Sequence, residues 1–193
     1  RCRERQMDRC RTGNRRSATP AFVYNFAAPV YHTTMTMITF TQDNTRFTCR
    51  IVGVAIDQGR VLLHKAADDD FWALPGGRAE LREEAAATLR REMIEELQIQ
   101  VDVVRLLWLV ENFFQYRGLD FHELGLYFLM RVPADWPRRM ENGPFLGYEQ
   151  GVQLFFQWFP LEALPAMRVY PSFLASSLQD LPASPQHVVH IDP

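Results

Sequence analysis

Three carboxylates, Glu92, Glu95 and Glu96, crowd into five residues of the segment GGRAELREEAAATLRREMIEELQI (Gly76–Ile99). Its Ala, Leu, Arg and Glu content predicts a helix from about Glu83 to Leu97. With Glu92 set to zero, Glu95 falls at about −60° and Glu96 at about +40°, so the three share a sector of about 100°. Leu89, Met93, Leu97 and Ala86 fall at about 60–140°, an apolar stripe beside that acidic edge. A solvated charge run would sit opposite the apolar face and interleave Lys or Arg at i+4. Here Glu96 occupies the i+4 position of Glu92, and each like-charge pair costs about 0.2–0.5 kcal/mol. A divalent cation would reverse that sign. Hard oxygen donors favour Mg²⁺ or Mn²⁺ over a soft metal, particularly for a substrate that brings phosphate oxygens of its own. The Pro75-Gly76-Gly77 run upstream predicts a turn where backbone can approach a ligand closely. Taken singly, these features also fit a solvated helix face and an ordinary turn.

The segments around the helix must hold it in place. Phe47–Asp57 (FTCRIVGVAID) is β-rich and apolar, and Gln58-Gly59 turns it into Arg60–Ala66 (RVLLHKA), a predicted hairpin. A polar ADDD loop leads to FWALPGG, a short strand ending in Pro and Gly. Ile99–Arg117 predicts a long strand with a bend or bulge, which Gly118 turns into another strand, Leu119–Val132. PADWPRRMENGPFLGYEQG, with three Pro and three Gly, predicts a loop. A strand over Gln153–Leu161 and a short helix over Pro171–Leu181, with Pro in its first turn, complete the order. Two antiparallel pairings and two helices imply a mixed-sheet α/β domain built in layers.

Composition narrows the partners. A chain of 193 residues, 47% hydrophobic and 23% charged, suits one soluble globular domain. A net charge of −2 argues against a stable nucleic-acid partner held by bulk electrostatics. Residues 1–16 carry seven Arg against Glu4 and Asp8, so the remainder is net acidic. Residues 1–40, without a clear period, are expected to form a disordered or non-native N-terminal extension, leaving 41–193 as a single domain. The chain opens on Arg1, which makes Met35 or Met37 candidate translation starts. Cys2, Cys10 and Cys49 have no metal-ligand spacing and imply no disulfide framework, so a cytoplasmic location is expected. No apolar run approaches the roughly 18 residues of a membrane span.

The spacing along the helix is more specific than any of its parts. Gly77 is followed after five residues by Glu83, after seven more by Arg91-Glu92, and then by Met93-Ile94-Glu95-Glu96. This resembles the Nudix box, G-x5-E-x7-R-E-U-x-E-E-x-G-U, with U a bulky apolar residue. Only the last Gly differs, being Gln98 here, and Ile99 again fits. A chance match is on the order of 10⁻⁷ to 10⁻⁸ per start position. The resemblance covers about Thr48 to Leu181 and implies a Nudix-type α/β/α sandwich with a central mixed β-sheet.

Several expectations follow from the resemblance. The chain would hydrolyse a diphosphate linkage in a nucleoside diphosphate derivative, such as ADP-ribose or a nucleoside triphosphate, with Mg²⁺ or Mn²⁺. Glu92, Glu95 and Glu96 would be the metal-binding carboxylates, with Glu83 and the glycine of the box, Gly77, completing the metal set. Arg91 would orient that set by pairing with a nearby carboxylate. Glu149 is the distal candidate for the general base, ahead of Glu111 and Glu123. Gln98 stands where a left-handed helix cap is common, so an altered cap or local strain is expected there. Trp72, Phe113, Phe114, Tyr116 and Tyr127 could stack on a base, although core packing is the commoner role of strand aromatics. His64 and His122 are expected to be structural. The family is often dimeric, so a homodimer is possible. The alternative is a catalytically silent nucleotide-binding module of the same fold.

Overall fold

The architecture is organised by one strand that serves two sheets. In the computed structural model, residues 36–149 and 152–192 are described. They form β1 (Thr39–Gln42), β2 (Thr45–Asp57), β3 (Arg60–Ala66), β4 (Trp72–Ala73), β5 (Gly76–Arg78), α1 (Ala85–Leu97), β6 (Asp102–Tyr116) and β7 (Leu119–Arg131). Then come β8 (Phe145–Glu149), β9 (Val152–Pro160), a 3-10 turn (Leu161–Ala166), β10 (Val169–Tyr170), α2 (Leu174–Ser177) and β11 (Gln186–Ile191). Residues Thr45 to Ala55 of β2 run parallel to β7, whereas Ile56 and Asp57 pair antiparallel with β3. The β2–β3 hairpin therefore forms as expected, and the two sheets diverge from it.

Strand alternation sends the residues of β2 to opposite layers. Ile51 and Ala55 pack with Leu89 and Met93 of α1 and with Trp158 in one buried cluster. Val52 and Val54 pack with Trp108, Tyr127 and with Leu174 and Leu178 of the α2 region in the other. Helical structure thus covers both faces of a mixed sheet, giving the α/β sandwich anticipated above. The long β6 carries register shifts between Val103 and Arg105 and between Leu106 and Trp108, the bulges foreseen in that strand.

Other expectations need correction. Pro75-Gly76-Gly77 does not make a turn. Gly76–Arg78 is β5, paired antiparallel with Arg50–Val52 of β2. Gly76 has φ 137°, and a Cβ there would lie 2.1 Å from the Ile51 carbonyl oxygen, so glycine serves close backbone packing. The Gly- and Pro-rich segment expected as a loop ends in β8, which pairs with β9, because burial of Phe145 against Phe156 outweighs its turn-forming residues. The helix expected over Pro171–Leu181 contracts to the four residues of α2. Strand β11 was not anticipated and runs parallel to β6. Residues assigned to the leader also contribute: β1 pairs with β2, and Met37 bridges to Glu80. The rest of that leader, residues 1–35, lies outside the described residues. Among the described residues, no helix is long and apolar enough to cross a membrane.

Candidate functional site

The three helix carboxylates have different environments. Glu96 and Glu92 are only 2% and 8% exposed, while the Glu95 side chain is 55% exposed. Leu89 and Met93 anchor α1 in the core, and the adjacent acidic edge is carried inward against β5. There the need for glycine at position 77 becomes plain. A Cβ on Gly77 would lie 2.0 Å from Cδ of Glu92 and 2.1 Å from its Oε1, so the missing side chain leaves the space the carboxylate fills.

Arg91 ties the acidic groups together. Its Nε and Nη2 donate to Oε1 and Oε2 of Glu83, both at 3.1 Å, in a bidentate fork. Nη1 donates to Glu92 Oε1 at 2.8 Å and to Glu95 Oε2 at 3.2 Å. Nη2 also donates to the Arg78 carbonyl at 3.3 Å and lies 3.8 Å from Glu80 Oε1. With its side chain 19% exposed, Arg91 is a fixed centre and not a solvated surface bridge. Glu83 lies just before the helix, which starts at Ala85, and Thr88 Oγ1 donates to its Oε2 at 2.8 Å. Burial opposes ionisation of Glu83, yet the bonds from Arg91 and Thr88 outweigh it and hold the carboxyl below its ordinary range. Burial likewise pushes the Glu92 carboxyl up, and there the attraction of Arg91 offsets it only in part.

The donor set suits a hard divalent cation. It consists of carboxylate oxygens, and the buried Glu80 Oε2 has no hydrogen-bond partner. Among the described residues, no three acidic, His or Cys side chains converge as a ready-made cage, because the guanidinium of Arg91 lies among Glu83, Glu92 and Glu95.

Beside this edge opens a cleft of about 1030 Å³ between the two sheets. Arg50 and Arg78, register partners on β2 and β5, line it, and Arg46 extends the cationic wall. Glu123 faces the same space. Burial raises its carboxyl above the ordinary range, and the nearby charges of Arg50 and Arg78 act in the other direction. Of the aromatic candidates, Phe114, Tyr116 and Tyr127 line the cleft, with Tyr127 fully buried. Trp72 instead packs edge-on against Phe159 under Lys65, and Phe113 stacks on His122 at 4.6 Å. His64 is buried against Phe156, and burial together with Arg50 lowers its pKa to about 3, which keeps it neutral. Glu111 bonds His187 at 2.7 Å on the far side of β6 from the cleft lining. The backbone of Glu149 ends β8 opposite Val152, while its side chain lies outside the described residues.

Glu80, Arg50 and Arg78 were missed by sequence reasoning. The alternation Arg46, Thr48, Arg50 inside an otherwise apolar strand was the available signal for a polar strand face. Gln98 does adopt the left-handed cap conformation, φ 57° and ψ 36°. Its N–H bonds the Ile94 carbonyl at 3.0 Å, and the Ile99 N–H bonds the Met93 carbonyl at 3.3 Å, so the helix end is closed without glycine.

A NUDIX domain family model matches residues 46–180. A "MutT-like protein" of Streptomyces ambofaciens is 38% identical over 63 residues, 32% of this chain and 41% of that protein. The match therefore spans less than half the length of this curated relative. Among solved structures, a MutT NUDIX hydrolase from Burkholderia pseudomallei superposes with a TM-score of 0.52 at 23% identity, covering 67% of this chain and 95% of that one. A MutT protein from Bacillus halodurans gives the same TM-score, 0.52, at 17% identity, covering 76% of this chain and 91% of that one. At these identities the structural likeness speaks to the fold.

Proposed function

The chain belongs to the Nudix family, and on that premise we propose that it is a pyrophosphohydrolase. It cleaves a diphosphate linkage in a nucleoside diphosphate derivative by attack of water on phosphorus, with Mg²⁺ or Mn²⁺. The observation that carries this reading is the junction of two opposite charge arrangements. Carboxylates gathered around Arg91 meet, at β5, a cleft wall bearing Arg50 and Arg78.

Glu92, Glu95, Glu96 and Glu83, with the Gly77 backbone, are the residues that would hold the cation. A bound divalent cation supplies charge neutralisation at the diphosphate and a lowered pKa for the attacking water. The remaining tasks fall to this chain's own side chains. Arg91 keeps Glu83 oriented through its fork and sets the starting positions of Glu92 and Glu95. Arg50 and Arg78 attract the diphosphate oxygens and place the anion beside the acidic edge, which alone would repel it. Glu149 is the distal residue proposed to accept the proton from water.

Phosphate release from a panel of nucleotides in Mg²⁺, for the wild type and Glu96→Gln, tests the reading. Turnover of at least one substrate is expected, with a loss of about 10²-fold or more in the variant. Wild-type turnover by Glu96→Gln would sink the assignment of the site. Tight nucleotide binding without any turnover by the wild type would leave a silent binding module in its place.

A further inference from the structure

Beyond the cationic wall, the cleft contains a polar row that the chemistry above does not use. Thr48 of β2 and Asn112 of β6 are both register partners of Glu123 on β7, so the three lie side by side across adjacent strands. All three line the cleft, at 3%, 3% and 8% exposure. Thr48 Oγ1 and Asn112 Oδ1 are buried without a hydrogen-bond partner. Each such group is destabilising in the free protein, a penalty that a bound polar group can relieve.

The neighbouring rows define what that group is. Two residues along the strands on one side lies Arg78–Arg50–Gly125, next to the carboxylate edge. Two residues along on the other lies Arg46–Phe121–Phe114, where the two rings stack at 4.9 Å and Arg46 sits 5.7 Å from the Phe121 ring centre. Each step is about 6.7 Å along a strand. A phosphate only accepts hydrogen bonds, so it cannot satisfy the Asn112 carbonyl oxygen or the Glu123 carboxylate, and its place is the arginine row. A flat ring finds its surface at Phe114 and Phe121. Between them, a group must both donate to Asn112 and Glu123 and bond the Thr48 hydroxyl. Hydroxyls do both.

We propose that Thr48, Glu123 and Asn112 bind the hydroxyls of a ribose, with the phosphates at Arg50 and Arg78 on one side and the base on Phe114 and Phe121 on the other. This inference rests on the diphosphate reading and deepens it. The cleft then selects ribonucleoside diphosphate derivatives and fixes their direction, phosphates toward α1 and base toward the β6–β7 turn.

Equilibrium titration with ADP, GDP, CDP and UDP and with their 2′,3′-dideoxy forms, in Mg²⁺, tests it without requiring turnover. Wild-type protein should bind at least one ribo form about tenfold or more tighter than its dideoxy form. Thr48→Val and Asn112→Leu should each reduce that preference severalfold while changing dideoxy affinity less than about twofold. Thr48→Val should also leave the melting temperature of the free protein unchanged or higher, since it removes an unpaired hydroxyl without changing shape. Equal ribo and dideoxy affinity in the wild type, or variants that weaken both forms alike, would overturn the proposal. So would failure to bind any of the four diphosphates; phosphate release from a non-nucleoside diphosphate would then leave the hydrolase reading intact. A kept ribose preference with no hydrolysis of any substrate would instead remove the hydrolase reading alone.

Discussion

Gly77→Ala adds a single methyl group where the structure leaves no room for it. The new Cβ would meet Cδ of Glu92 at 2.0 Å, against an optimal carbon separation of about 3.5–4.0 Å, so the two must separate by about 1.5–2 Å. The Gly77 backbone needs no left-handed conformation, which makes the conflict purely steric. The β5 backbone is paired to β2 on Ile51, whereas the Glu92 carboxylate ends a flexible side chain, so the carboxylate yields. Moving it strains or breaks the 2.8 Å bond from Arg91, a loss of about 1.5 kcal/mol for a charge-assisted bond at a partly exposed site. Replacing Gly with Ala returns about 0.4–1 kcal/mol through the unfolded state. The net cost of about 1 kcal/mol corresponds to roughly 2–4 °C in a domain of this size. Function should suffer far more, since a misplacement of about 1 Å can cost 10²-fold in rate. Calorimetry and phosphate-release kinetics on Gly77→Ala, Glu92→Gln and the double variant separate these effects. The glycine acts through Glu92, so the double variant should be no slower than Glu92→Gln alone. Wild-type turnover by Gly77→Ala, or rate losses that multiply in the double variant, would refute the reasoning.

Arg91→Lys keeps the charge but cannot reproduce the fork to Glu83 or reach Glu92 and Glu95 together, so urea denaturation should show a loss of about 1–3 kcal/mol together with reduced turnover. Gln98→Gly relieves a left-handed non-glycine cap and should raise stability by about 0.5–1 kcal/mol with turnover unchanged; a fall in melting temperature would mean that the Gln98 side chain contributes to the cap. His64 has its pKa lowered from 6.5 to about 3, so its stabilising contribution is present above pH 6.5 and is lost as pH falls toward 3. His64→Leu should therefore move the acid-unfolding midpoint to lower pH, as followed by tryptophan fluorescence. Glu92 and Glu123, whose carboxyls are raised, act in the opposite sense: their contribution is present below pH 4.5 and is lost as pH rises through their folded pKa values.

The local features of the molecule were the legible ones. The period of Leu89, Met93 and Leu97 placed α1, and the Gln58-Gly59 pair placed the first hairpin, because both depend on near neighbours in the chain. Misreadings arose where a distant partner decided the outcome. Gly76-Gly77 carries turn chemistry, yet pairing with Ile51 and Val52 makes it a strand. Phe145 follows Gly143-Pro144, and only its contact with Phe156 draws that segment into a sheet. In the site, the box spacing brought Glu83, Arg91, Glu92 and Glu95 forward together, and the Arg91 guanidinium does contact all three carboxylates. Glu80 was invisible because its relation to Arg91 depends on the path of β5. Thr48 and Asn112 acquire meaning only when β7 brings them to either side of Glu123.

Strand β2 divides its labour by parity. Its odd positions, Ile51, Gly53 and Ala55, support the helix that bears the carboxylates, while its even positions, Arg46, Thr48 and Arg50, face the cleft. Neighbouring residues thus answer to different demands although one peptide bond joins them. A change at an even position can alter what is recognised and leave the helix seat intact. A change at an odd position puts the seat at risk and leaves the recognition surface in place. The strand is a scaffold on which new substrates can be explored by point substitution, whereas a single inserted residue would exchange the two roles and lose both.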